Sequence, residues 1–100
     1  MKFIGVGTVI MSKNIDFNNR DRFLNLGVSI SILRKMKGMS QYELAEKANI
    51  GRSLLSQIEA TGIAKNFSLN VFFNLADALN ISPKKLMEYS ELPLYDNKTK

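Results

Sequence analysis

Neither cysteine nor histidine occurs anywhere in this 100-residue chain. Their absence removes disulfide staples, a thiolate nucleophile and zinc sites of the common kind, which draw their ligands from these two side chains. No metal and no cofactor is expected, and a reducing compartment is compatible with the composition. Long apolar runs are missing as well, since nothing approaches the roughly 18 residues that a membrane-spanning helix needs. The opening MKFIGVGTVIM echoes a signal peptide, but its apolar run is short and broken by glycine. No small-x-small cleavage site follows it, so a cytoplasmic location is expected. No glycine-rich phosphate loop follows a strand, and Gly5-Val6-Gly7 alone is too weak a signal. The groups left for catalysis are carboxylates, lysines and serines, and none of them form a nucleophile with a paired base and an orienting acid. Glu43 and Glu46 read as a solvated helix face, not as an acid pair, and an enzyme is not expected.

What is present is an ordinary globular composition, 45% hydrophobic and 23% charged, at a length that fits one domain with a modest core. Internal repeats and low-complexity blocks are absent. A formal net charge of +5 and a pI near 9.6 point to an acidic partner, with nucleic acid first in line. The charge is unevenly spread. Residues 1–39 hold seven Lys or Arg against two Asp, whereas residues 40–59 hold Lys47 and Arg52 against Glu43, Glu46 and Glu59, a net of −1.

The rest of the chain is organised around SQYELAEKANIGRSLLSQIE, residues 40–59. Leu44, Ala45 and Ala48 fall on one face of a first short helix, and Leu55 with Ile58 on one face of a second. Asn49-Ile50-Gly51 breaks the pattern between them, since Asn and Gly tolerate left-handed backbone angles. Ser40 followed by Glu43 is a capping-box pattern. Two helices of about eight residues cannot stand alone in water, so flanking segments must supply a floor. Upstream, Phe23, Leu26, Ile30, Leu33 and Met36 predict a buried stripe on a helix from about Asp21 to Lys37, ended by Gly38. Downstream, Ser68 caps a helix whose Leu69, Phe72, Leu75, Ala76 and Leu79 are expected to face the core. Ser82-Pro83 opens a last helix to about Tyr89, anchored by Leu86.

Met39-Ser40-Gln41-x-x-Leu44-Ala45, then Ile50, then Leu55-Ser56-Gln57-Ile58-Glu59 resembles the helix-turn-helix of the phage Cro and repressor (XRE) family. The likeness extends from Leu26-Gly27 through Ile81 and spans roughly residues 26–89. It implies an all-α fold, a compact five-helix bundle of the phage-repressor DNA-binding type, preceded here by a short N-terminal arm or strand. The expected organisation is an arm over 1–20, a helix-turn-helix DNA-binding domain over 21–89 and a tail over 90–100. The function implied is sequence-specific transcriptional regulation, with double-stranded DNA as the partner.

With Leu55 and Ile58 turned inward, Arg52, Ser53, Ser56 and Gln57 are left outward on the second helix of the motif. Arg52 suits a forked pair with guanine and Gln57 a pair with adenine. By resemblance, the base-reading positions are Arg52, Ser53 and Gln57. The resemblance also gives Gln41 a role in clamping a phosphate and bracing the reading helix, and pairs Arg34 with Glu59 as an internal ion pair. Ser56, Lys65 and Asn66 are further expected DNA-backbone contacts, with Lys35 and Lys37 weaker ones. Leu54 is expected to pack against the edge of the first helix of the motif, with contact to a thymine methyl as the alternative. Gly51 stands where the family often has Ser or Thr, and Ala60-Thr61-Gly62 is one residue longer than usual.

For residues 1–11, three readings stand: an arm lying on the domain, a strand that pairs across a dimer, and a sequence upstream of a start at Met11. Arg20 and Arg22 are read as solvated flank charges, with phosphate contact as the alternative. Leu92, Leu94 and Tyr95 are too apolar for a mere tail. They fit either a cover over the core or a homodimer seam with Met87 and Tyr89. A chain this short has no room for a separate effector domain, so a small repressor, a restriction–modification controller or an antitoxin is expected. The competing reading is a protein-interaction module that keeps the fold without specific DNA reading, in line with the −1 motif and the glycine cap.

Overall fold

A computed structural model describes residues 16–92. After a 3-10 turn at Phe17–Asn19 come five helices: α1 (Arg20–Met36), α2 (Gln41–Ala48), α3 (Arg52–Glu59), α4 (Leu69–Ala78) and α5 (Pro83–Ser90). Among the described residues there is no strand. The all-α, five-helix expectation therefore holds, with α1 and α5 each within a residue of their expected bounds.

Local sequence fixes where these helices begin. The Ser40 hydroxyl accepts from the Glu43 N–H at 3.0 Å, and the Glu43 carboxylate accepts from the Ser40 N–H at 2.8 Å. Each satisfies one of the donors that a helix start leaves orphaned. Ser68 and Ser82 cap α4 and α5 by accepting from Val71 and Lys85, both at 3.1 Å. Pro83 occupies the first position of α5, where no N–H is needed.

Three helices end alike. Gly38 (φ 74°), Asn49 (φ 57°) and Asn80 (φ 58°) turn left-handed. The next residue then donates back to a carbonyl five positions earlier: Met39 to Arg34, Ile50 to Ala45 and Ile81 to Ala76. This 6→1 closure satisfies a terminal carbonyl and folds an apolar side chain back under the helix. Met39, Ile50 and Ile81 all pack against the core. Each chain reversal is thereby fixed by one residue with positive φ and one hydrophobic plug.

The core is a single cluster drawn from every helix, including Ile30, Leu44, Leu55, Leu75, Leu79 and Leu86, none of which is solvent-accessible. α3 is held between α1 and α2, α2 also rests on α4, and α5 closes against α1 and α4. The α1–α3 approach is unusually close. A Cβ added at Gly27 would land on the backbone carbonyl of Ile58, so glycine is what permits this crossing. One further α1 residue, Ser29, is fully buried, and among the described residues its hydroxyl has no hydrogen-bond partner.

Two expected core positions are corrected. Leu69 is 66% and Met36 75% exposed. Leu69 is the first residue of α4 and Met36 the last of α1, so each stands at a helix end, away from the buried middle of its stripe. Periodicity assigns them to the right face but says nothing of where the covering element stops. Phe23 and Leu33 are half-buried, and the Phe23 ring meets Phe67 edge-on at 5.5 Å. Leu54 is half-buried and packs against the core.

Candidate nucleic-acid interface

α3 is strongly two-sided. Leu55, Ile58 and Glu59 are buried and Leu54 half-buried, whereas Arg52, Ser53, Ser56 and Gln57 are exposed. At 100° per residue these four side chains lie within an arc of roughly 140°. They present a guanidinium, a carboxamide and two hydroxyls together. Gly51 is the N-cap in extended conformation with no side-chain cap bond, so the first N–H groups of α3 are left open.

The opposite end of α3 is locked by a buried network. Arg34 Nε donates to Glu59 Oε2 at 2.8 Å and Nη2 to Oε1 at 2.9 Å. Arg34 Nη1 donates to the Met39 carbonyl at 2.8 Å, and Gln41 Nε2 donates to Glu59 Oε1 at 3.0 Å. Four segments meet here: the end of α1, the α1–α2 turn, the start of α2 and the end of α3. The Arg34 and Glu59 side chains are only 10% and 4% exposed, so water does little to screen their attraction. The Arg34 pKa is raised, chiefly by the hydrogen bonds to Glu59, with burial opposing and the opposite charge adding to it. The forked pair matches the planar guanidinium to the carboxylate.

Gln41 is half-buried, with its carboxamide on Glu59. Ser56 is exposed near the middle of α3, while Lys65 and Asn66 are half-buried in the α3–α4 connection. Arg20 makes an exposed ion pair with Asp21 at 3.4 Å, and Arg22 donates to the Asn19 side chain at 2.8 Å. Residue spacing revealed neither the Gln41–Glu59 bond, the Met39 carbonyl as a third partner for Arg34, nor the Gly27 contact. All three depend on residues at least five positions apart meeting through the fold. Only the turn chemistry at Gly38 hints that residue 39 returns towards residue 34.

The network also alters the electrostatics of the motif. Glu59 is neutralised by Arg34 from outside residues 40–59, so the exposed motif carries Lys47 and Arg52 against Glu43 and Glu46. The surface is balanced, not acidic. Among the described residues there is no cluster of three or more potential metal ligands, and no helix is long and apolar enough to cross a membrane.

Comparison with known proteins agrees with this geometry. A family model described as helix-turn-helix matches residues 30–86. Among solved structures, the restriction-modification controller protein C.AhdI from Aeromonas hydrophila is similar, with 34% sequence identity and a TM-score of 0.60. The alignment covers 65% of this chain and 96% of that one. No curated protein matches the chain.

Proposed function

This chain belongs to the XRE-type helix-turn-helix family of DNA-binding transcriptional regulators, and from that premise we propose that it reads a palindromic operator as a homodimer through α3. The observation that carries this reading is the bare strip of Arg52, Ser53, Ser56 and Gln57 on a helix fixed at its far end by a buried ion pair. A major groove admits one α-helix and offers each base pair as a distinct donor and acceptor pattern. Arg52 is assigned to guanine O6 and N7, Gln57 to adenine N6 and N7, and Ser53 to a less discriminating base contact. Gln41, Ser56, Lys65 and Asn66 are assigned to the DNA backbone, where they set register without reading sequence. The DNA-binding unit is placed at residues 21–89.

Dimerisation is assigned to α5 and the residues after it. Met87 and Leu92 are 41% and 37% exposed, and Tyr89 is half-buried. Leu94, the fourth residue of this seam, lies outside the described residues, as do residues 1–15 of the expected arm. Two copies would set their α3 helices about 34 Å apart on successive major grooves. Because the motif surface is charge-balanced, non-specific affinity should be modest, and specificity should come from two half-sites together. The similar protein C.AhdI is a restriction-modification controller, which favours a controller among the small regulators considered.

Selection of bound sequences from a random duplex pool tests this directly. A palindrome with two half-sites about one helical turn apart is the expected result. An unenriched pool would instead favour the interaction-module reading, which the balanced motif charge and the glycine cap at position 51 support.

A further inference from the structure

The first residue of α2 is tied to the last residue of α3. Gln41 Nε2 donates to Glu59 Oε1 at 3.0 Å, and that same oxygen accepts Arg34 Nη2 at 2.9 Å. An ionised carboxylate has no proton to give, so the carboxamide must present its nitrogen there and not its oxygen. A primary amide nitrogen carries two hydrogens that diverge. Glu59 takes one of them on the buried side, and Gln41 itself is half-buried at the mouth of the network. The Ser40 and Glu43 N–H groups beside it are already used by the capping box.

We infer that Glu59 is a positioning residue for the DNA backbone: it grips one N–H of Gln41 so that the other is aimed outward at a phosphate. One nitrogen then bridges two anions, the buried carboxylate and the DNA. The inference rests on the assignment of Gln41 to the backbone made above and adds Glu59 to it. Without the grip the carboxamide is free to flip and offer its carbonyl oxygen, which a phosphate repels. Glu59 can sit close to DNA because Arg34 offsets its charge through two hydrogen bonds.

Positioning and bare electrostatics give opposite signs for Glu59→Leu, which removes the charge and, unlike a glutamine whose side-chain oxygen could still accept from Gln41, leaves no acceptor. Deleting a negative charge near DNA should tighten binding, whereas losing the grip should weaken it. The measurement is fluorescence anisotropy with a labelled duplex of arbitrary sequence, since phosphate contacts are made to any sequence. It is run at a temperature where each variant keeps its full helical circular dichroism. Gln41→Ala should weaken binding about tenfold, the order expected for a charge-assisted hydrogen bond. Glu59→Leu should weaken it several-fold in the parent chain but not in a chain that already carries Gln41→Ala. Gln41→Lys, whose ammonium can donate to both anions, should restore affinity and steepen the salt dependence by about 0.9 in log–log slope.

If Gln41→Ala weakens binding while Glu59→Leu tightens it, or weakens it equally in both backgrounds, the positioning role is overturned and the Gln41 contact survives. If Gln41→Ala changes nothing, the backbone assignment itself is lost. A second measurement needs no variant at position 59. In the NMR spectrum of the unaltered protein, one Gln41 carboxamide proton should be protected from exchange, and only its geminal partner should shift when duplex is added. Loss of the protected proton on DNA binding would show Gln41 leaving Glu59 and overturn the inference.

Discussion

Removal of Glu59 alone should cost far more than removal of Glu59 and Arg34 together. In Glu59→Leu, the Arg34 guanidinium stays on a side chain that is 10% exposed in the parent and keeps only the Met39 carbonyl of its three acceptor contacts. Breaking a buried pair in this way costs roughly 3–5 kcal/mol, because the remaining charge is uncompensated. A domain of this size is stable by roughly 4–12 kcal/mol, so the single change removes a large share of the total. With about 4–8 °C per kcal/mol for a small domain, the expected fall in Tm is at least about 12 °C. Arg34→Met should cost a similar amount, since among the described residues it leaves the Glu59 carboxylate with Gln41 as its one hydrogen-bond donor. The double variant Arg34→Met/Glu59→Leu should lie within about 2 kcal/mol of the parent, because apolar replacements of a buried pair are often neutral. Urea denaturation followed by circular dichroism gives all three free energies. The raised Arg34 pKa means that the pair's contribution is fully present below arginine's ordinary value and lost only as pH rises through the still higher folded value. The difference between parent and double variant should therefore be flat with respect to Arg34 from neutral to mildly alkaline pH. Single variants within about 1 kcal/mol of the parent, the range of ordinary surface changes, or a double variant costing the sum of the two, would falsify the coupling.

Three further outcomes are expected. Arg52→Ala with Gln57→Ala should lower affinity for a selected duplex by about 1–3 kcal/mol per lost contact and leave binding to a scrambled duplex much less affected; an unchanged footprint counts against these readers. Gly27→Ala should lower the urea midpoint by an amount worth about 1–3 kcal/mol, because the added Cβ meets the Ile58 carbonyl and forces α1 and α3 apart; an unshifted midpoint would mean that the crossing relaxes at no cost. Ser29→Ala should raise the Tm, since it removes a buried hydroxyl that has no partner among the described residues and improves helix propensity, for about 1 kcal/mol in all; a lower Tm would reveal a hydrogen bond at Ser29.

Much of this fold is readable along the chain because its punctuation is local. Ser40, Ser68 and Ser82 cap helices through N–H groups three residues away, and Gly38, Asn49 and Asn80 end helices through their own φ preferences. The periodic apolar residues then name the buried faces. Leu69 and Met36 mark the limit of that method, for a stripe gives direction but not the extent of the neighbour that covers it. The outward strip on α3 follows by subtraction, once Leu55 and Ile58 are assigned inward. The Arg34–Glu59 pair is expected from family likeness, since spacing alone cannot join residues 25 apart in the chain.

Sequence alone determined five helices, their ends and the identity of the side chains offered at position 52 onward, because each depends on interactions within a few residues. Tertiary structure decided that Gln41 rests on Glu59, that Gly27 admits the α3 backbone, and that the exposed motif is neutral once Arg34 has taken up the charge of Glu59. These facts belong to the crossing of α1, α2 and α3. Hydrogen bonding and burial at such a crossing depend on distance in space, which no spacing along the chain encodes.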